Sequence, residues 1–86
     1  MNINQLVEIV KNKLHNNIVC DNIEVEDKTF LHKSHASNDK NKFHIKLIIT
    51  SDYLKKKNKI ESTKEIYKIL EKELKYNIHS IQILIN

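Results

Sequence analysis

The 86-residue chain contains neither glycine nor proline. Its turns must therefore be built from asparagine, aspartate, serine and lysine, and none can use the two residues that most readily reverse a backbone. A chain of this length has room for one hydrophobic core, so we expect a single domain over residues 1–86. Such a domain buries only about 60% of the surface of its unfolded chain.

Charge and cysteine content narrow the classes of function. The net charge is +4 and all 15 basic residues are lysine, so no arginine is present for bidentate recognition of guanine. The single cysteine, Cys20, excludes an intramolecular disulfide framework and suits a reducing compartment. The apolar runs are far too short to span a membrane. Because the N-terminus continues directly into a helical pattern, we expect a cytoplasmic protein, or an organellar one if a presequence was removed.

The first two elements are a helix and a strand. Residues 2–17 carry apolar side chains at helical spacing, with Asn2 or Asn4 as the N-cap. This apolar stripe consists of Ile3, Leu6, Val7, Val10 and Leu14. Residues 21–27 then alternate, with Ile23 and Val25 on one side, which predicts a short half-buried strand.

A polar loop and a second strand follow. The loop, residues 29–41, contains His32 and His35, and the strand over residues 42–50 contains Phe43 and His44 near its start. The polar residues at 38–42 can form a turn, so the pattern predicts an antiparallel pair of strands. Residues 51–59 form a short turn or a single helical turn that carries several lysines.

The last two elements are a longer helix and a strand. In residues 61–77, Ser62 and Glu65 have the spacing of a capping box. Asn77 is expected to end the helix in the left-handed conformation, in the place of a glycine. Residues 78–86 alternate from His79 through Ile81 to Ile85, which predicts the final strand.

The order α-β-β-α-β predicts an α+β two-layer sandwich with a three-stranded mixed sheet. The helix between the second and third strands is long enough for a crossover, which allows those strands to be parallel. Parallel strands start at the same end of a sheet, and the second strand starts where the histidine-containing loop finishes. We therefore expect His79, at the start of the third strand, to lie near the loop histidines.

These elements and a set of ordered residues resemble the BolA family over residues 3–85. The resemblance depends on Asp27, Thr29, His32, Phe43, Ser51, Tyr67, Glu73, Leu74 and the final "IHSI". Two features depart from the family pattern. The family's Phe-x-Gly-Lys turn is "YLKK" here, and its Arg-His-Arg-like triplet is replaced by Ser62, Thr63 and Lys64.

The resemblance implies a class II KH-like topology and a non-enzymatic partner of monothiol glutaredoxins in iron–sulfur cluster handling. In such pairs, a [2Fe–2S] cluster is shared between the two proteins. The glutaredoxin supplies a cysteine and bound glutathione, and the BolA-like protein supplies the histidine of its last strand and a histidine or cysteine from its loop. By position, these ligands are His79 and His32, with His35 as the alternative to His32.

The chemistry of the histidines agrees with half of a shared site. Neutral imidazole binds iron, zinc and copper, and histidine pairs ligate one iron in some [2Fe–2S] centres. Two ligands are too few for a closed zinc site, so a partner would have to complete the coordination. We expect His44 to be an ordinary strand histidine on the polar face, and Cys20 to be a small apolar side chain rather than a ligand.

The lysine patch, which we define as Lys55, Lys56, Lys57 and Lys59, allows three interpretations. It is a solvated turn, a docking surface for an acidic or glutathione-bearing partner, or a nucleic-acid-binding surface. The last makes a KH-like transcriptional regulator the alternative function, although the GXXG loop of KH domains requires glycine. The sequence shows no nucleophile–base constellation, so we do not expect an enzyme.

Overall fold

The computed structural model describes residues 1–29 and 42–86. Within these residues the chain forms four helices and three strands, and the α+β prediction with a three-stranded mixed sheet is confirmed. The elements are α1 (Ile3–Asn17), β1 (Asn22–Asp27), β2 (Phe43–Thr50), α2 (Asp52–Lys55), α3 (Lys59–Ile69), α4 (Glu71–Tyr76) and β3 (Ile78–Ile85).

The sheet has the order β1-β2-β3. β1 pairs antiparallel with β2, and β2 pairs parallel with β3 through the crossover formed by α2, α3 and α4. The end of β1 therefore meets the starts of β2 and β3. We call this the histidine end of the sheet, formed by Asp27, Phe43 and Ile78, and the opposite end, formed by Asn22, Thr50 and Ile85, the far end.

The core lies between the helices and one face of the sheet. Its central strand β2 contributes alternate residues, Ile45, Leu47 and Ile49, as the period-two pattern predicts. The full set of buried apolar side chains is Leu6, Val10, Leu14, Ile18, Ile23, Ile45, Leu47, Ile49, Leu54, Ile66, Leu70 and Ile78. This single cluster confirms that the helical stripes face the sheet.

The helix termini differ in part from the predictions. Asn2 caps α1 through a capping box with Gln5, as expected. The capping box predicted at Ser62 is wrong, because α3 begins four residues earlier than that box requires and is capped by Asn58, whose side chain accepts from Glu61 N at 2.8 Å. Ser62 is instead buried and donates to the carbonyl of Leu54 at 2.8 Å.

The segment predicted as one helix over residues 61–77 is two helices. The break lies at Leu70, whose backbone leaves the helical region at φ −97° and ψ 18°. Asn77 ends α4 at φ −126° and ψ −22°, so the left-handed conformation predicted for it is wrong. None of the described residues has a positive φ. The described turns are therefore made without the conformation that glycine favours.

The membrane-spanning potential of the described helices is low. In residues 1–29 and 42–86, no helix combines the length and the apolar character needed to cross a bilayer.

Candidate functional site

His79 occupies an irregular position at the histidine end. Along the parallel pairing of β2 with β3, Phe43 is opposite Ile78 but His44 is opposite Ser80, so the register shifts by one residue. His79 is the residue left without a partner, and its side chain is exposed. Such irregularities redirect a side chain away from the regular alternation of the strand. His79 is thus presented to solvent at the start of β3.

His44 lies directly beside His79. The centroids of the two imidazole rings are 4.8 Å apart and the ring planes are inclined at 31°. The Nδ1 atom of His44 is 2.7 Å from Oγ of Ser80, and only 5% of His44 is exposed. His44 lies on the polar face of β2 beside Lys46, as expected, but its burial and its contacts with Ser80 and His79 were not predicted. Its position at the start of β2, opposite the start of β3, could have predicted its contact with His79.

The backbone of His44 is held by the residues that follow β1. Thr29 Oγ1 accepts from His44 N at 3.1 Å, and Lys28 N donates to the His44 carbonyl at 2.7 Å. Thr29 N in turn donates to Asp27 Oδ1 at 3.0 Å. Thr29, which precedes segment 30–41, is thus bonded to β2, which follows that segment, at the histidine end. The predicted ligands His32 and His35 belong to this segment and lie outside the described residues.

A hollow with a volume of about 370 Å³ lies on the helix-free side of the sheet next to His44. Its wall includes Lys28, Lys46 and Ser80. Lys28 forms an ion pair with Glu26 at 3.0 Å, and this hydrogen bond lowers the pKa of the Glu26 carboxyl. The hollow therefore has a polar, partly cationic wall beside the imidazole of His44.

Cys20 is at the opposite end of the sheet from His79. Its neighbour Asp21 donates through its backbone N–H to the Thr50 carbonyl at 2.8 Å, which places this region at the far end. Burial, with a smaller contribution from Asp21, raises the pKa of the Cys20 thiol. Its Sγ atom is 3.4 Å from Nδ1 of His15. The structure thus places Cys20 at the end of the sheet opposite His79.

The lysine patch is close to the far end of β3. Lys55, Lys56 and Lys59 are exposed, whereas Lys57 contacts Glu65 at 2.9 Å and lies over the ring of Tyr53 at 4.6 Å. Hydrogen bonding to Tyr53 and Glu65 raises the pKa of Lys57. Burial opposes the ionisation of Glu65, but its bonds with Lys57 and Tyr53 lower the pKa overall. Lys57 therefore has a structural contact that the other three lysines lack.

The relationship to known proteins follows from the sequence and the fold together. Residues 14–86 match the family described as BolA-like protein. The chain belongs to the BolA-like family. A comparison with curated protein sequences gave no match.

Solved structures agree with this assignment. The BolA-like chain is similar to the BolA domain of SufE1 from Arabidopsis thaliana, with a TM-score of 0.82, 27% identity, and coverage of 99% of this chain and 94% of that one. For BolA1 from Arabidopsis thaliana the TM-score is 0.77 at 21% identity, covering 93% and 88% of the two chains. For BolA1 from Mus musculus the TM-score is 0.73 at 15% identity, covering 92% of this chain and 62% of that one. The last two establish likeness of fold alone.

Two residues of the BolA-like pattern have structural contacts in this chain. Ser51 is fully buried, donates through Oγ to the Val19 carbonyl at 2.8 Å and accepts from Leu54 N at 3.2 Å. Glu73 is buried and forms an ion pair with Lys13 of α1 at 2.7 Å. Ser51 thereby links the end of β2 to the segment before β1, and Glu73 links α4 to α1. The predicted metal ligands are His79 and a loop histidine, and neither Ser51 nor Glu73 is among them.

Proposed function

We propose that this BolA-like chain is an adaptor that pairs with a monothiol glutaredoxin and shares a [2Fe–2S] cluster with it. His79 supplies one ligand, and a histidine of segment 30–41 supplies the second, His32 in preference to His35. The glutaredoxin supplies its cysteine and bound glutathione. The role is in the assembly or trafficking of iron–sulfur clusters or in iron regulation, and it is a binding role rather than catalysis.

The observation that carries the proposal is the position of His79. Its side chain is exposed at the histidine end, in the register irregularity of β3. At the same end, Lys28 and Thr29, which precede segment 30–41, are bonded to His44 of β2, which follows it. The described residues that flank this segment, Thr29 and Lys42, therefore lie at the same end of the sheet as His79. This position supports a second ligand from segment 30–41.

The chemistry of the described residues fits half of a coordination site. Residues 1–29 and 42–86 contain no group of three or more histidine, cysteine, aspartate or glutamate side chains arranged to hold a metal ion. His79 would contribute one neutral imidazole, a donor found in [2Fe–2S] centres of raised potential. Beside it, His44 is bonded to Ser80 and packs against the imidazole of His79, so the ring of His79 has a support on one side.

Co-reconstitution tests the proposal. The full chain would be mixed with a glutathione-loaded monothiol glutaredoxin, iron and sulfide, and the complex followed by visible absorption, circular dichroism and native mass spectrometry. We expect His79→Ala to abolish or alter the spectrum of the mixed complex. His15→Ala is the matched control, because His15 is exposed and lies near Cys20 at the far end. An unchanged mixed-complex spectrum with His79→Ala would refute the assignment.

The loop ligand is identified by the same assay. His32→Ala is expected to change the spectrum more than His35→Ala, and the reverse order would assign the ligand to His35. Far-ultraviolet circular dichroism of each unliganded variant shows whether the fold is intact. If neither loop variant changes the spectrum while His79→Ala does, the second ligand is not one of these two histidines and that part of the proposal is wrong.

A further inference from the structure

Among the described residues, β3 is an edge strand, and one of its two hydrogen-bonding sides is unpaired. In the sheet order β1-β2-β3 it pairs with β2 alone, and none of the described residues forms a strand on its other side. It is eight residues long, and its second half, from Ile81 to Ile85, is apolar apart from Gln82. A long apolar edge of this kind is a template for pairing with another extended chain.

The hydrogen bonds of Asn86, directly after β3, show which peptide groups of the strand point to β2 and which point away from it. Asn86 N donates to the Ile49 carbonyl at 2.8 Å, and the Asn86 carbonyl accepts from Ser51 N at 3.0 Å. Both groups of Asn86 therefore point to β2. Because the direction alternates along a strand, the N–H and C=O groups of Ile83 and Ile85 point to the free side. They are spaced by about 6.7 Å, the repeat of two residues that an added strand would match.

A basic groove runs beside this free side. Its volume is about 300 Å³, and its wall includes Ile83, Ile85 and three members of the lysine patch, Lys55, Lys57 and Lys59. The described residues that line it include no aspartate or glutamate. Lys57 is paired with Glu65, but Lys55 and Lys59 form no ion pair with any described residue. The groove therefore combines outward peptide groups with unneutralised positive charge.

We propose that the free side of β3 and the lysine patch bind an extended acidic segment of a partner protein, which adds a fourth strand to the sheet. The backbone of the segment pairs with Ile83 and Ile85, and its carboxylates contact Lys55 and Lys59. The positive charge of the groove favours an acidic partner over a second copy of this chain, because a second copy would itself carry a net charge of +4. A nucleic acid would complement the lysines but would leave the peptide groups of β3 unpaired.

This surface is separate from the histidine end. Five residues of β3 lie between His79 and Ile85, and the six residue steps that separate the two correspond to about 20 Å along an extended strand. A segment bound beside Ile83 and Ile85 therefore leaves His79 exposed. The inference is independent of the proposed cluster function, and its test needs neither metal nor glutaredoxin.

The test uses an acetylated and amidated nine-residue peptide in which glutamate and threonine alternate. It is titrated into the full ¹⁵N-labelled chain and followed by amide chemical shifts and hydrogen exchange. We expect shifts at Ile83, Ile85, Lys55 and Lys59, with slower exchange at Ile83 and Ile85. A peptide with lysine in place of glutamate serves as the charge control and is expected not to bind.

Backbone methylation of the peptide separates strand pairing from simple charge attraction. Two further peptides carry N-methyl groups on all glutamates or on all threonines. In an added strand, the N–H groups of one set face β3 and those of the other set face solvent. One methylated peptide should therefore lose binding while the other retains it. Equal binding of the two would overturn the proposal, because it would show attraction to charge alone.

Charge-reversal variants test the lysines without disturbing the core. The double variant Lys55→Glu with Lys59→Glu should weaken binding about tenfold, as expected for two interfacial charges at a partly exposed surface. Lys68→Glu with Lys72→Glu gives the same change in net charge at exposed positions elsewhere. Equal weakening in both pairs would overturn the proposal. So would protection of Ile83 by self-association in the absence of peptide, or binding of a single-stranded oligonucleotide with no binding of the acidic peptide.

Discussion

The ion pair between Lys13 and Glu73 predicts a measurable coupling between the first helix and the last. Lys13 Nζ of α1 lies 2.9 Å from Oε1 and 2.7 Å from Oε2 of Glu73 in α4. The Glu73 side chain is only 5% exposed, whereas that of Lys13 is 37% exposed. A buried carboxylate thus depends on a cation that is itself partly in water. Replacing Lys13 by methionine keeps the apolar stem and removes the charge.

The magnitude follows from two opposing contributions. At about 3 Å and an effective dielectric constant of about 20, the attraction is roughly 5 kcal/mol. The desolvation of Glu73 costs several kcal/mol, and solvent at Lys13 screens the pair further. We therefore expect a net coupling of about 1–2 kcal/mol. Lys13→Met should cost about 2–3 kcal/mol, because it leaves the carboxylate of Glu73 buried without its cation.

A double-mutant cycle measures this coupling. The free energy of unfolding is obtained from urea denaturation of the wild type, Lys13→Met, Glu73→Gln and the double variant. Lys72→Met is the matched control, since Lys72 is an exposed residue of α4, and it should change stability by less than about 0.5 kcal/mol. Strictly additive single changes, or an equal loss for Lys13→Met and Lys72→Met, would refute the electrostatic argument.

Three further predictions concern other contacts. Burial opposes the ionisation of Glu65, but its ion pair with Lys57 lowers the pKa of Glu65 in the folded state. The stability that this pair contributes is therefore present above the ordinary pKa of 4.5 and is lost as the pH falls through the lowered pKa. Glu65→Gln should flatten this part of a profile of the free energy of unfolding against pH. Ser51→Ala should lower the free energy of unfolding by about 1–3 kcal/mol in urea denaturation, since it removes a buried hydroxyl with two bonds. Ser80→Ala should change the imidazole resonances of His44 in the unliganded chain and the circular dichroism of the mixed complex, with little change in far-ultraviolet circular dichroism.

Much of the fold could be predicted because the periodic spacing of apolar residues determines the helices, the strands and their buried faces. The alternation in β2 predicted the buried positions Ile45, Leu47 and Ile49, and the helical spacing in α1 predicted its core-facing residues. The parallel crossover followed from the length of the connecting helical segment. From that topology alone, His79 was expected at the end of the sheet where β2 begins, and the pairing of Phe43 with Ile78 confirms this position.

The surroundings of His79 could not be predicted in the same way. Regular alternation assigned His44 to the polar face beside Lys46, but it gave no indication that His44 is buried or that the register shifts at His79. The structure buries His44 through contacts with Ser80 and the ring of His79, which are distant in sequence. The start of α3 was also misplaced, because Ser62 satisfies the carbonyl of Leu54 rather than a helix terminus.

The sequence by itself determined the number of strands, the side of each strand that is buried, and the end of the sheet at which His79 lies. These properties depend on the spacing of apolar residues and on chain connectivity, which are local. Tertiary structure decided the shift that exposes His79, the packing of His44 against it, and the free side of β3 beside Lys55 and Lys59. These depend on how separate segments align with one another, and strand register is set by pairing and packing across the whole sheet.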